Sequence, residues 1–503
     1  MTSLVILGGG TAGTIVANKL RAAYPLHELQ ITVVDRDDQH HYQPGYLFLP
    51  VGIYDESKII RSRHAFLPDG VDMVLGEIDR VDAAAKRVFL QDGRELTYDT
   101  LIIATGVQPR PDLTPGQDHE DVHHFYDLES SIALTDAVGK LRGGRVVVHI
   151  TDMPIKCPVA PLEFTFLLDS YYRQKKIRKK FEIVYVTPLD GAFTKPVASR
   201  ELGNMLRDRD IALETDFAIE SVDTEAREIV SFDDRRIPYD LLVSIPLNVG
   251  PEYIARSGLG DDMNLVPCDQ GTMRSLEHPD IFVLGDGGTL QTSKAGSVAH
   301  FSVDIFMENW PHYLAGEELP HRFDGHANCF IETGGNKGML LDFNYETQPY
   351  TGLFPLPFVG PMTLLKESVA NHWSKLAFRF IYWEFLLKGR PLPFTADMYL
   401  MGKKVEDTAS GTSTRDLLLG LIPGLKGRAK PTKAAGRPAK RSVPEASRPA
   451  RGASPAPRAS KSAAPARTTP AATESVPAYV PQKGVDSTAD PATVLPDPII
   501  PKF

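Results

Sequence analysis

The sequence predicts an α/β fold in which two domains are each built on a parallel sheet. Near the amino terminus an apolar strand, residues 4–7, runs into Gly8-x-Gly10-x-x-Gly13 and then into a helix-patterned segment, residues 14–23. A second such unit begins at an apolar strand over residues 143–150, which follows a helix-patterned segment over residues 130–141. Buried strands alternating with helices are typical of parallel sheets.

The glycine motif predicts a bound dinucleotide. Its first glycine permits a tight turn, its second lets the backbone approach a pyrophosphate, and its third lets the helix lie close to the sheet. Amides at the helix N-terminus favour the negative charge. The next strand, residues 29–34, is followed by Asp35, about 20 residues beyond the glycines, where a carboxylate can bind a ribose hydroxyl. Without this context the motif would indicate only a glycine-rich turn.

Later segments are expected to complete the first domain. Residues 71–78, 87–90 and 95–101 alternate in polarity like short antiparallel strands. Two apolar strands then end at Ala104-Thr-Gly106 and at Gly285-Asp286, and both return the chain to the first dinucleotide site. Lys294 begins a helix that continues to about residue 315.

The second domain departs from a nucleotide-binding pattern directly after its first strand. Residues 151–164 contain three prolines and no glycine, at the place where a pyridine-nucleotide site would have a second glycine motif. Because prolines cannot form the close pyrophosphate turn, we predict that an NADH site has been lost. Cys157 lies where the helix of that site would begin.

Composition and length exclude several classes of protein. A chain of 503 residues should hold two or three domains, and its net charge of −9 argues against nucleic acid as a partner. Three cysteines, Cys157, Cys268 and Cys329, exclude a disulfide scaffold and a CxxC zinc site. No metal is expected at His40 and His41, since adjacent residues on a helix or strand cannot both face one ion.

The motifs together resemble a known family. Gly8-x-Gly10-x-x-Gly13, Ala104-Thr-Gly106 and Gly285-Asp286 resemble the flavoproteins that are related to disulfide reductases. Lys156-Cys-Pro-Val-Ala-Pro161 and the segment 324–334 around Cys329 are similar to the sulfide:quinone oxidoreductases and to the flavoprotein of flavocytochrome c sulfide dehydrogenase. The segment 382–393 strengthens this resemblance, which covers about residues 3–400. It implies two Rossmann-like dinucleotide-binding domains of the disulfide-reductase type.

The resemblance implies FAD as cofactor, a redox-active pair Cys157 and Cys329 beside the flavin, and a quinone pocket near a membrane. Many members have a further cysteine, and residues 118–126, where it would lie, have none, so a covalent flavin link through it is not expected. The residues expected to contact FAD lie in the glycine motifs, at strand ends and near the later helix: Gly8, Gly10, Thr11, Ala12, Gly13, Asp35, Arg36, Ile78, Ala104, Thr105, Gly106, Gly285, Asp286, Lys294, Gly296 and Lys337.

The implied chemistry begins when sulfide attacks a disulfide or a trisulfide between the two cysteines, which forms a persulfide and frees a thiolate that reduces the flavin. Because a thiolate is the nucleophile, we expect Lys156 and Lys337 to lower the pKa of the neighbouring cysteines. Glu163 is a candidate proton acceptor; the alternative is a role as a partner of the helix dipole. We predict that Cys268 is a buried core thiol.

The C-terminal part is expected to contact a membrane. Residues 350–365 are apolar but interrupted by prolines, and residues 366–388 read as a helix. One face of this helix carries Val369, Trp373, Leu376, Phe380, Trp383 and Leu387, and basic residues that can reach headgroups flank it: Lys366, Lys375, Arg379 and Lys388. Such a helix suits the bilayer interface, and the alternative is an ordinary core or dimer helix. With no signal peptide recognised, we expect cytoplasmic synthesis and peripheral, monotopic binding.

These observations give the predicted domain bounds: 1–115 and 266–345 for the FAD-binding domain, 116–265 for the second domain, 346–424 for the membrane-associating region and 425–503 for a disordered tail. A homo-oligomer and the substrates sulfide and quinone are expected. The alternatives are a flavoprotein that donates electrons to a cytochrome c, an NADH:quinone oxidoreductase, and a flavin-bearing protein that binds sulfide without turnover.

Overall fold

The computed structural model describes residues 1–392 and 396–404. The predicted tail over residues 425–503 lies outside the described residues. The helices are α1 Thr11–Ala23, α2 Leu128–Lys140, α3 Ala160–Gln174, α4 Pro196–Asp208, α5 Glu252–Arg256, α6 Gly296–Leu314 and α7 Val369–Ile381.

The first sheet has five parallel strands, in the order Ile281–Val283, Thr100–Ile103, Thr2–Leu7, Leu29–Asp35 and Val71–Leu75. Helices α1 and α6 pack against each other beside it. Leu4, Ile6 and Ile15 are fully buried, and each such side chain contributes roughly 1.5–3 kcal/mol by leaving water. The predicted α/β fold is confirmed.

One strand assignment was wrong. Residues 71–78 were predicted to be antiparallel, but Val71–Leu75 pairs in parallel with Leu29–Asp35. As the edge strand of the sheet it is only half-buried, and its polarity therefore alternates like that of an antiparallel strand. The antiparallel sheet that does form contains Ile78–Asp82, Arg87–Leu90 and Glu95–Thr97.

The second sheet is also parallel, in the order Val122–His123, Leu241–Ile245, Gly144–Ile150, Phe181–Val186 and Ile211–Glu214. A small antiparallel sheet of Ile219–Asp223, Glu228–Ser231 and Arg236–Pro238 accompanies it. Two further strand pairs are short: Gln108–Pro109 with Asn248–Val249, and Gln39–His41 with Ile60–Ser62.

The third sheet carries Cys329. Its strands, in order, are Ala327–Gly334, Lys337–Phe343, Gly360–Leu364, Thr351–Leu356 and Lys403–Lys404. Helix α3 packs on the first of these strands and α7 on the second. The boundary predicted between residues 345 and 346 divides this sheet, because Lys337–Phe343 pairs on one side with the strand that carries Cys329 and on the other with Gly360–Leu364 of the C-terminal hairpin.

The predicted helix over residues 366–388 is divided in two. Helix α7 ends at Ile381 and a π-helical turn, Tyr382–Leu386, follows it. An extra residue in a turn rotates the following side chains about the helix axis. Trp373 and Phe380, which precede this turn, are exposed, while Trp383 and Leu387, predicted on the same face, are buried. In the described part of the chain, no helix has the length and apolar character needed to cross a bilayer.

Candidate active site

Two adjoining cavities lie at the carboxyl ends of the first sheet, where α/β proteins usually bind ligands. One measures about 620 Å³ and reaches Asp35 and Ile78; the other measures about 210 Å³ and reaches Cys157. They share a wall formed by residues from both parallel-sheet domains: Gly10, Thr11, Gln43, Tyr46, Ala104, Thr105, Val107, Tyr126 and Lys156. An elongated molecule can therefore occupy both.

The glycine motif has the geometry that a pyrophosphate requires. A Cβ on Gly13 would lie 1.9 Å from the Gly8 carbonyl oxygen, and one on Gly8 would lie 2.6 Å from the Ala104 carbonyl oxygen. These two glycines permit the turn and the close packing. A Cβ on Gly10 would meet nothing within 4 Å, because Gly10 faces the cavities. Gly296, at the start of α6, has the same open surroundings.

Asp35 closes the turn as well as lining the larger cavity. Its Oδ2 accepts a hydrogen bond from the Gly9 amide at 2.7 Å and lies 2.7 Å from Nη1 of Arg63. Burial raises the pKa of Asp35, and the Arg63 guanidinium opposes this rise. Sequence reasoning missed Arg63, because it lies in a loop with no local motif.

Most residues predicted to contact FAD line a cavity. Those at the larger one are Gly8, Gly10, Thr11, Asp35, Arg36, Ile78, Ala104 and Thr105. Those at the smaller one are Gly10, Thr11, Ala12, Ala104, Thr105, Gly106, Gly285, Asp286, Lys294 and Gly296. Gly13 supports the turn from behind. Lys337 is exposed in a β-hairpin and lines neither cavity, because its strand belongs to the third sheet.

A second feature that the sequence did not indicate joins the glycine motif to the C-terminal helix. The Tyr382 hydroxyl lies 2.7 Å from Thr11 Oγ1 and 2.8 Å from His40 Nε2, and His40 Nδ1 lies 3.2 Å from the Gly9 carbonyl oxygen. Burial, and then the Arg63 charge, lower the pKa of His40 to about 3. The neutral ring therefore donates from Nδ1 to Gly9 and accepts from the Tyr382 hydroxyl, which in turn accepts from Thr11.

The two cysteines come from separate elements. Cys157 precedes α3 with a positive φ of 45°, and its amide donates to the Lys294 carbonyl at 2.6 Å. Cys329 is buried in the third sheet, and both are free thiols. The ionised form of Cys157 acts on the pKa of Cys329, so the two thiols share one electrostatic environment. Cys268 is buried in the core, where its Sγ would lie 2.9 Å from a Cβ on Gly288.

The prediction that the pKa of both thiols is lowered was wrong. Burial raises the pKa of Cys157 to about 11 and raises that of Cys329 as well. Lys156 Nζ is bound to Gln43 Oε1 at 3.1 Å and to the Tyr126 carbonyl at 3.3 Å. The cation that lowers the pKa of both thiols, in opposition to burial, is Lys375.

Lys375 forms a buried ion pair with Glu163. Its Nζ lies 2.9 Å from Oε1 and 3.1 Å from Oε2 of Glu163, and it also donates to the Phe330 carbonyl at 3.2 Å. Burial raises the pKa of Glu163, and Lys375 opposes this rise. The prediction that Lys375 reaches headgroups was wrong, because α7 packs its Asn371 and Lys375 face against the protein. The only sequence signal was that Asn371 and Lys375, four residues apart, share one face of the helix.

The cavities fit FAD. The larger one offers Asp35 to a ribose, Gly10 offers an open approach to a pyrophosphate, and the smaller one combines the start of α6 with apolar side chains beside Cys157. A helix N-terminus stabilises negative charge, as a reduced flavin carries. Among the described residues, no group of three or more histidine, cysteine or acidic side chains is arranged to hold a metal ion.

The chain is similar to known oxidoreductases. Residues 2–148 match the pyridine nucleotide-disulphide oxidoreductase family. The chain is 26% identical over 402 residues to the mitochondrial sulfide:quinone oxidoreductase of Dictyostelium discoideum, covering 78% of this chain and 87% of the relative. It is 24% identical over 397 residues to the mouse mitochondrial enzyme, covering 77% and 86%.

The fold is similar to that of solved oxidoreductase structures. The sulfide:quinone oxidoreductase of Aquifex aeolicus aligns with a TM-score of 0.65 at 18% identity, covering 78% of this chain and 92% of that structure. A ferredoxin reductase of Rhodopseudomonas palustris aligns with a TM-score of 0.55 at 17% identity, covering 70% and 85%. At these identities the likeness concerns the fold.

Proposed function

We infer that this chain belongs to the sulfide:quinone oxidoreductase family and is an FAD-dependent enzyme that oxidises sulfide and passes two electrons to a quinone. The observation that carries this inference is that Cys157, just before α3, lines a cavity that the glycine motif also lines and acts electrostatically on Cys329 of the third sheet. The relatives named for this activity match most of the chain. The absence of glycine from residues 151–164 disfavours NADH as the electron donor.

We propose that Cys157 and Cys329 receive the sulfur. HS⁻ attacks one sulfur of a Cys157–Cys329 disulfide, the S–S bond breaks, and a persulfide and a thiolate result. Bound FAD would supply the two-electron redox chemistry that links the sulfur atoms to a quinone. Glu163 would take the proton from a thiol, since a pKa of about 11 for Cys157 leaves few thiolates near neutral pH without a base. Lys375 would then stabilise the thiolate charge.

The C-terminal region provides a surface for a membrane. Val369, Trp373 and Phe380 are 53%, 58% and 62% exposed on α7. Leu356, Phe358 and Val359, in the neighbouring hairpin, are 58%, 74% and 74% exposed. Apolar side chains with Trp among them are typical of monotopic binding. The inner side of the same segment lines the smaller cavity with Phe378, Tyr382 and Leu386, which supports delivery of a hydrophobic quinone from the bilayer.

The test is an anaerobic titration of the purified flavoprotein with sulfide, followed by absorption. We expect the flavin to be reduced by sulfide, and a soluble quinone analogue to reoxidise it in the steady state. The Cys157→Ser and Cys329→Ser variants should bind flavin normally and lose sulfide-dependent reduction. Flavin reduction by NADH with no response to sulfide would refute the inference.

Two rival functions give different outcomes in the same assay. Electron transfer to cytochrome c in preference to the quinone would indicate a sulfide dehydrogenase, and sulfide binding without reoxidation by either acceptor would indicate a non-catalytic sulfide-binding protein. A homo-oligomer stays a prediction, which light scattering in detergent would test.

A further inference from the structure

A row of titratable side chains continues beyond the cysteines toward the protein surface. Glu332 and Glu163 are linked, because the Glu332 amide donates to Glu163 Oε1 at 3.1 Å. His372, on α7, lies with its Nδ1 2.8 Å from Glu332 Oε1. Glu163 and its partner Lys375 line the same cavity as Cys157, so these contacts join that cavity to α7.

The burial of these groups changes along the row. Glu163 is 0% exposed, Glu332 2% and Lys375 7%, whereas the His372 side chain is 13% exposed. His372 lies beside Trp373, with 5.2 Å between ring centroids, and Trp373 is exposed. The row therefore has one end at the cavity that Cys157 lines and the other at the surface of α7 that we propose for the membrane.

Glu332 has a free position for a proton. Its Oε1 is occupied by His372, but its Oε2 is buried and has no hydrogen-bond partner among the residues that the structure describes. An unpaired carboxylate oxygen is unfavourable in an interior, and protonation or a bound water removes the penalty. The charges of Glu163 and Lys375 both act on this region. The charges of Lys375 and Glu163 also act on the pKa of Tyr54.

We propose that Glu163, Lys375, Glu332 and His372 form a proton path between the cysteines and the surface of α7. This rests on the proposed function, and it names the route for the proton that sulfide or a thiol releases. The proton leaves sulfur for the Glu163 carboxylate, passes to Glu332 with Lys375 stabilising the negative carboxylate, and leaves through His372. The electron pair of the broken S–H bond stays on sulfur.

Two variants test the path while preserving its hydrogen bonds. Glu332→Gln keeps an oxygen that accepts from His372 but cannot carry a proton. His372→Asn keeps a donor near the position of Nδ1 and lacks a titratable group. The matched control is Glu367→Gln, which removes a carboxylate that pairs with Arg209 at 2.7 Å, just before α7 and outside the row. Retained FAD and unchanged circular dichroism would show that each variant is folded.

The first readout needs neither sulfide nor turnover. We expect the infrared difference spectrum between the oxidised and the dithionite-reduced flavoprotein to contain a carboxylic-acid carbonyl band that shifts in D₂O. The band should persist in Glu367→Gln and disappear in Glu332→Gln. Its persistence in Glu332→Gln would overturn the role of that residue.

The second readout is proton release to a pH-indicating dye after rapid mixing with sulfide. We expect release to be slowed about tenfold or more in Glu332→Gln and His372→Asn, and to be unchanged in Glu367→Gln. Release at the wild-type rate in both variants would overturn the path. If sulfide does not reduce the flavin of the wild-type protein, the proposed function fails instead, and the dithionite spectrum still tests the path.

Discussion

The charge of Glu163 should be measurable through the reactivity of Cys157. Burial raises the pKa of Cys157 to about 11, with Lys375 lowering it and Glu163 raising it further. The substitution Glu163→Gln keeps an oxygen that accepts from the Glu332 amide, but it removes the negative charge that is paired with Lys375. We therefore expect the pKa of Cys157 to fall in this variant.

The magnitude follows from the electrostatics of a partly screened site. A unit charge at roughly 8 Å, with an effective dielectric constant of about 20, contributes about 2 kcal/mol. This corresponds to a pKa change of about 1.5 and to a roughly 30-fold larger thiolate fraction below the pKa. A less basic thiolate is also a weaker nucleophile, by about fivefold for this change. The net expectation is alkylation of Cys157 about sixfold faster.

The assay is alkylation of the reduced flavoprotein with iodoacetamide, with the peptide containing Cys157 quantified by mass spectrometry. Glu367→Gln should leave the rate unchanged, and Lys375→Gln should lower it. Sulfide oxidation should instead fall in Glu163→Gln, because the proton acceptor is lost. A Cys157 alkylation rate that is unchanged or lower in Glu163→Gln would refute the electrostatic argument.

Three further predictions concern the cofactor, acid stability and the membrane. Tyr382→Phe removes the hydroxyl that joins Thr11 to His40, so we expect FAD affinity to fall about fivefold, which corresponds to about 1 kcal/mol, measured by fluorescence of released flavin. Because burial lowers the pKa of His40 from 6.5 to about 3, the unfolded chain binds a proton that the folded chain does not as pH falls below about 6.5. Stability should thus decrease by about 2 kcal/mol at about pH 5, measured by urea unfolding. The double variant Trp373→Ser/Phe358→Ser should sediment less with phospholipid vesicles, because exposed apolar area is lost.

Each of these predictions has a control. Tyr253→Phe removes a hydroxyl 3.0 Å from Thr105 on the other wall of the cavities, so equal flavin loss in both tyrosine variants would contradict a special role for Tyr382. A His40→Gln variant should lose less stability on acidification, and an unaltered pH dependence would contradict the assignment. Phe232→Ser removes another exposed aromatic residue, 73% exposed, and should leave vesicle binding unchanged.

The local sequence was sufficient to predict those features that are determined by residues close together in the chain. The strand, glycine turn and helix at the amino terminus depend on residues within one short segment, so Gly8, Gly10 and Gly13 could be given separate roles that the Cβ distances support. The residues flanking Cys157 and Cys329 predicted, by resemblance, that these two thiols act together. The proline-rich segment that replaces a second glycine motif could also be recognised from the sequence alone.

Tertiary structure alone decided which charges act on the thiols. Lys156 is next to Cys157 in sequence but binds Gln43 and Tyr126, whereas Lys375, more than 200 residues away, is the buried cation that opposes the rise in thiol pKa. Trp373 and Trp383, predicted on one face of one helix, likewise differ in exposure, and only the structure shows that a π-helical turn follows α7. Electrostatic energies depend on distance and burial in space, and a sequence specifies the order of residues along the chain without either quantity.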